Sequence, residues 1–291
     1  MSPIPTPSPA SRLAAPALRR PVALVTGAAR RIGRVITLEL ARHGWDLVLH
    51  CRGGAVSLAD AEATADEARA CGAQARVVAA DLAVEADCEG LVPAAVAALG
   101  RLDAVVNNAS LFEYDSVASF STQAMDRAWR SNTAPAVLLA RALHAHLLAR
   151  AADPASSPPP SGCVVNLLDQ KLVNPNPDYF SYTLSKAALA EATVMLAQAL
   201  APRLRVCGVS PGVTLVSGTM NEAEFDAAHR LTPLERSSTP QDIARAVRFL
   251  LESPAITGHT LLVDGGQHLL GQPRDVLFLT QNTMATAAKD D

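Results

Sequence analysis

The sequence predicts an α/β fold: a single domain built on a doubly wound parallel sheet of about seven strands, with helices on both faces. Three observations carry this. Short β-branched apolar runs alternate with helical stretches of roughly ten to fifteen residues from Val22 onward, the pattern of repeated β-α-β units. The first run opens into a glycine-bearing turn, TGAARRIG (26–33), and a helical pattern follows at once. The 291 residues are 49% hydrophobic, enough for one large core, and no break in composition separates two.

In chain order, Val22 to Thr26 is the first strand, and Val35, Ile36, Leu38 and Leu40 then keep helical spacing as far as His43-Gly44. Asp46 to Cys51 is the second strand, about Ser57 to Cys71 a helix, and Arg76 to Ala79 the third strand. A helix over Glu85 to Leu99 leads to a strand at Ala104 to Val106, and one long helix is predicted from Thr122 to Ala151. Ala152 to Gly162, ADPASSPPPSG, is a surface loop, because its prolines and serines suit neither helix nor strand. Cys163 to Leu168 is the next strand, followed by a helix that carries Tyr182 and runs to about Leu200, then a strand at Arg205 to Val209. A helix at Pro240 to Leu251 and a strand at Thr260 to Val263 complete the pattern. Ahead of residues 21–270, residues 1–20 hold many prolines, three arginines and no acid, and read as a disordered leader. Residues 271–291 are a C-terminal tail whose Phe278 and Leu279 suit packing on a neighbouring subunit.

Composition excludes several function classes. A formal net charge of -3 offers no basic footprint for nucleic acid. Apolar stretches are interrupted well before the roughly 18 residues of a membrane span. The five cysteines are scattered, with no C-x-x-C pair and no histidine at ligand spacing, so no metal site is expected; free thiols in a reducing cytoplasm explain them.

The chemistry concentrates at the carboxyl ends of the strands. Tyr182 and Lys186 stand four residues apart, on one face of a helix. An ammonium beside a phenol favours the phenolate, which brings proton exchange closer to neutrality than the usual value of about 10. Strand, glycine turn and helix together make a phosphate-binding loop, since helix N-terminal amides attract pyrophosphate. The second strand ends in His50-Cys51-Arg52 with no acid to bind a ribose 2′-hydroxyl, whereas Arg30, Arg31 and Arg52 supply cations for a 2′-phosphate. This favours NADP over NAD. Asp81 suits an adenine amino group or a helix cap, and the two roles are compatible. Asn107-Asn108-Ala109 closes the fourth strand, where a plain turn or a contact to the nicotinamide ribose would each fit.

These pieces resemble the short-chain dehydrogenase/reductase family over about residues 21–270. The matching motifs are TGAARRIG, Asp81-Leu82, Asn107-Asn108-Ala109, Asn132, Tyr182 to Lys186, Ser210-Pro211-Gly212 and Val263 to Gly266. The resemblance implies a Rossmann-type fold, a homotetramer, and a proton donor Tyr182 supported by Lys186 and, through a relay water, by Asn132. It implies NADP contacts from Gly27, Arg30, Arg31, Ile32 and Gly33, from His50, Arg52, Asp81 and Leu82, from Asn108, Ala109 and Ser110, and from Tyr182, Lys186, Pro211 and Gly212. About Val213 to Arg230, including Val213 and Leu215, would cover nicotinamide and substrate.

Two departures narrow the resemblance. Arg31 replaces the middle glycine of the loop, and Asp169 stands where a serine usually lies thirteen residues before the tyrosine. A carboxylate repels a developing alkoxide, which suits ketone reduction poorly, yet it can bind an amidine-like group or pass a proton to a ring nitrogen. Both features, with Phe112 shortly after the Asn-Asn-Ala turn, are similar to the pteridine reductase and dihydromonapterin reductase branch. That likeness implies NADPH-dependent reduction of a pterin held by Arg31, Ser110, Phe112, Asp169, Tyr182, Val213 and Leu215, with Phe112 stacking on the ring; an ordinary core role for Phe112 stays open. The alternatives are a reductase of a 3-oxoacyl thioester or small ketone, and a non-catalytic NADP-binding sensor.

Overall fold

A computed structural model describes residues 20–153, 159–216 and 220–280. All but one residue of the expected leader, part of the Ala152 to Gly162 loop and the last eleven residues of the tail lie outside the described residues. Seven parallel strands form one sheet: β1 (Val22–Val25), β2 (Asp46–Cys51), β3 (Ala75–Ala79), β4 (Ala104–Asn107), β5 (Gly162–Leu167), β6 (Leu204–Pro211) and β7 (Thr260–Val263). Their order is β3-β2-β1-β4-β5-β6-β7, so the direction of winding reverses at β1 and leaves a crevice between the carboxyl ends of β1 and β4.

Side chains alternate along each strand and feed two cores. Ala23 and Val25 face one layer with Ile36 and Leu40 of α1 (Arg31–Arg42), Ala65 and Ala68 of α2 (Ala55–Ala70), and Ile243 and Val247 of α8 (Pro240–Glu252). Val22 and Leu24 face the other, with Leu91 of α3 (Glu85–Leu99), Leu139, Leu143 and Leu147 of α5 (Ala134–Ala151), and Ala197 of α6 (Phe180–Ala199). Burial on both faces explains why the strands read as continuous apolar runs. Each fully buried leucine, such as Leu24 or Leu143, contributes about 2 kcal/mol of transfer free energy.

The predicted fold holds, and two local differences bear on function. The single helix expected over Thr122 to Ala151 is instead α4 (Thr122–Ala128), a π-helical turn (Trp129–Thr133), and α5. The wider turn carries Asn132 inward, to 4% exposure. A helix, α7 (Glu222–Arg230), lies within the segment read only as a cover after β6. Its N-terminus is a capping box in which Asn221 Oδ1 accepts from the Glu224 amide and Glu224 Oε2 from the Asn221 amide. Phe278, expected on a neighbouring subunit, packs within its own chain beside Met220, Ala228, Val276 and Leu277.

Candidate active site

The glycine turn is held by Thr26 and Asn108. Thr26 Oγ1 accepts from the amides of Asn108 at 2.9 Å and Ala109 at 3.0 Å, while Asn108 Nδ2 donates to the carbonyls of Thr26 at 2.8 Å and Gly27 at 3.2 Å. Gly27 has a φ of +62°, and a Cβ there would meet Ala109 Cα at 3.1 Å. At Gly33 a Cβ would lie 2.1 Å from the Gly27 carbonyl oxygen, so no side chain fits. Helix α1 starts with no side-chain cap on its first amides. Those open amides border a cleft of about 420 Å³ lined by Gly27, Arg30, Arg31, Ile32, Gly33, His50, Arg52, Asp81, Leu82, Asn108, Ala109 and Ser110. An uncapped helix start facing a cleft that tolerates no extra side chains fits a dinucleotide pyrophosphate.

The expected cations divide into two groups. Arg52 pairs with Asp81 at 3.3 Å with its side chain 77% exposed, and Arg30 pairs with Asp60; both pairs are surface pairs that a phosphate would displace at small cost. Arg31 takes another direction. Its φ is +52°, the left-handed conformation of the glycine it replaces, and its Nη2 donates to the Val216 carbonyl at 3.0 Å, so it reaches across the substrate side of the cleft. His50 is internally committed: Nδ1 accepts from the Gly27 amide at 3.2 Å and Nε2 donates to the Ala80 carbonyl at 3.0 Å. Burial lowers its pKa, which keeps it a neutral brace for the turn.

A second cavity, of about 300 Å³, shares Arg31, Ile32, Asn108 and Ser110 with the first and continues over β5 and β6. Tyr182, Lys186, Asp169, Phe112, Pro211, Gly212, Val213 and Leu215 line it. The Tyr182 hydroxyl donates to Asp169 Oδ2 at 2.9 Å, and Asp169 Oδ1 accepts from the Lys171 amide at 2.9 Å. Lys186 Nζ donates to the Leu167 carbonyl at 2.7 Å and sits 5.8 Å from the centre of the Tyr182 ring.

The expected depression of the tyrosine does not occur in this arrangement. Burial, then the adjacent Asp169 carboxylate and its hydrogen bond, push the Tyr182 phenol well above the ordinary value. Burial likewise raises Asp169 and lowers Lys186 to about 8, against the attraction of Asp169. Desolvation outweighs the ammonium because both side chains are buried, and helix spacing alone carries no information on burial. The result is a phenol that keeps its proton and a carboxyl with raised proton affinity.

Asn132 lines neither cavity and lies beneath them. Its Oδ1 accepts from the Leu111 amide at 2.7 Å and from Ser110 Oγ at 3.2 Å, and its Nδ2 donates to the Leu111 carbonyl at 3.0 Å and Ser185 Oγ at 2.9 Å. The side chain ties the 110–112 loop to α6. Phe112 is 42% exposed, so it is no core residue; its ring stacks on Tyr179 at 4.2 Å and meets Tyr182 edge-on at 4.7 Å.

Sequence reasoning missed Tyr179, Lys171, Asp178 and the tail. Tyr179, in the left-handed region at φ +53°, starts α6. The Asp178 carboxylate receives Arg274 through two bonds of 2.8 Å and the Asp275 amide at 2.8 Å, which brings 272–277 over the cavity. The aromatic and charged residues between Asp169 and Tyr182 were a signal for such a wall. Nothing in the sequence showed what the tail would meet.

A dinucleotide crevice joined to a buried Tyr-Lys-Asp cluster defines an oxidoreductase. The chain belongs to the short-chain dehydrogenase/reductase family, whose enoyl-(acyl carrier protein) reductase model matches residues 27–268. It is similar to the crystal structure of FolM alternative dihydrofolate reductase 1 from Brucella canis complexed with NADP, at 40% identity and a TM-score of 0.77, covering 86% of this chain and 95% of that one. The Brucella suis FolM structure in complex with NADP is 39% identical with a TM-score of 0.77, over 88% and 98%. The granaticin polyketide synthase putative ketoacyl reductase 2 of Streptomyces violaceoruber is 34% identical over 89% of this chain and all of that protein.

Proposed function

We propose that this protein reduces a dihydropterin with NADPH. Hydride goes to the carbon of the C6–N5 imine and a proton to the nitrogen, giving a tetrahydropterin. The Tyr182–Asp169 hydrogen bond of 2.9 Å carries the reading. A carboxyl group at this point opposes the alkoxide that forms when a ketone takes hydride. An imine nitrogen that becomes an amine needs only a proton, and the phenol, whose pKa burial raises, holds one ready. Asp169, raised by burial, restores the phenol's proton from solvent. Phe112 at the cavity mouth offers a face for the pterin ring, and Arg31 and Ser110, shared by both cavities, stand between cofactor and substrate.

NADPH bound in the crevice supplies the hydride. Arg52 and Arg30 would receive its 2′-phosphate, and the α1 amides its pyrophosphate. A homotetramer belongs to the same reading, supported by the exposed Leu184, Val194 and Met195 on α6. The likeness to a ketoacyl reductase favours the second reading, reduction of a 3-oxoacyl thioester. Following NADPH oxidation with 7,8-dihydropterins, 7,8-dihydrofolate and a 3-oxoacyl thioester separates them. Turnover of the thioester with inert dihydropterins would overturn the proposal; NADPH binding without turnover of any of them would favour a sensor.

A further inference from the structure

The substrate cavity has a wall made by a segment that follows the family match, and that wall carries a charge. Gln272, Asp275, Val276 and Leu277 line the cavity, with Val276 and Leu277 in a small apolar cluster with Met220. Three contacts fix the segment to the loop between Asp169 and Tyr182. Arg274 forks onto the Asp178 carboxylate, the Asp275 amide donates to the same carboxylate, and the Asp275 carboxylate pairs with Lys171 at 3.7 Å. Within that last pair the exposures differ. The Lys171 side chain is 6% exposed, with Nζ donating to the Asp178 carbonyl, while that of Asp275 is 22% exposed and lines the cavity. Lys171 lines the cavity as well, and the carboxylate is the more exposed member of the pair.

We propose that Asp275 is a specificity-determining residue, selecting the substituent on the ring atom being reduced: a hydroxylated, uncharged chain in preference to one that ends in carboxylates. This rests on the pterin reading. The carbon that takes hydride must lie beside Tyr182 and Asp169, so its own substituent must extend into the neighbouring part of the cavity. Asp169 and Asp275 flank Lys171 there, and Asn176 and Gln272 line the same cavity. A carboxylate accepts hydrogen bonds from hydroxyl groups, with charge assistance, and has lone pairs beyond the one used by the Leu277 amide. It repels a second carboxylate, and in a partly desolvated wall that repulsion is poorly screened.

The test compares kcat/KM for a 7,8-dihydropterin bearing a hydroxylated C6 chain with that for 7,8-dihydrofolate, whose C6 chain ends in glutamate. Asp275→Asn, which keeps shape and removes charge, is expected to shift the ratio toward dihydrofolate by about tenfold, through KM rather than kcat. Asp275→Glu is expected to restore most of the original ratio. NADPH affinity, measured by fluorescence, checks that the variants are folded, because the cofactor cleft is built from other elements. Both substrates turning over with an unchanged ratio in Asp275→Asn overturns this inference and leaves the pterin reading standing. Turnover of neither by the unaltered protein overturns both.

Discussion

Tyr182 and Lys186 are buried, and the half-buried Asp169 accepts the phenol's hydrogen bond at the cavity wall, which makes the three one unit in the proposed reaction. Removing the phenol proton donor in Tyr182→Phe, or the carboxyl in Asp169→Ala, should cut turnover by about tenfold or more, since positioned acid–base groups contribute factors of roughly 10²–10⁴. NADPH binding should stay near its original value in both; activity that survives either change removes the role given to that residue. The pH dependence follows from Lys186, whose ammonium burial lowers to about 8. Below that value the lysine is charged and stabilises the phenolate left when Tyr182 gives up its proton. Above it the amine is neutral, so kcat/KM should fall as pH rises through about 8, and a rate still level near pH 9.5 would exclude Lys186 as the controlling group. Arg52 is exposed and, among the described residues, pairs with Asp81. Exchanging its sign in Arg52→Asp should narrow the preference for NADPH over NADH by about tenfold, read from the two kcat/KM values.

The π-helical turn between α4 and α5 decides how the site is assembled. A regular helix through residues 129–133 would rotate Asn132 out of line with Ser110, Leu111 and Ser185, which it joins by four hydrogen bonds. Asn132→Ala leaves buried donors and acceptors unpaired, at about 1–3 kcal/mol. For a chain of this size that corresponds to a fall in the melting temperature of about 2–8 °C. Turnover should fall with it, because the 110–112 loop carries both Ser110 and Phe112; a melting temperature unchanged in calorimetry would show that the turn is held by other means. The glycine turn is the other element on which function depends. Its shape is enforced twice, by the absence of room for a Cβ at Gly33 and by the Thr26 and Asn108 hydrogen bonds. Arg31 nevertheless accepts a left-handed backbone within it, so its side chain is held where it bridges cofactor and substrate cavities.

For the molecule as a whole, the sheet order places the glycine turn, the Asn107-Asn108-Ala109 corner and the Asp169 loop along one edge. The tail then closes that edge through Asp178. On α6 the apolar Leu184, Val194 and Met195 are exposed, Met195 by 66%, which is the surface the proposed tetramer would use. Light scattering after size exclusion should give four times the subunit mass, and Met195→Glu should shift it to smaller species by placing a charge in the interface. A single-subunit mass for the unaltered protein would dismiss this assembly. Among the described residues no helix is long and apolar enough to cross a membrane.

Much of this was written in the sequence by itself. Continuous apolar strands, glycines at fixed points in a turn, and the Tyr182–Lys186 spacing are local signals, because periodicity and backbone conformation depend on near neighbours. Asp169 was readable for the same reason, as a fixed distance from Tyr182. Only the tertiary structure decided the protonation of that pair, since desolvation depends on what distant segments cover and here reverses the shift that spacing implied. It also decided that Asn132 would stand on a π turn rather than a long helix, where packing against α6 overrides local propensity. The position of Asp275 is the extreme case: it reaches the cavity through an ion pair between Asp178 and Arg274, 96 residues apart in the chain. No local pattern records a contact across that separation.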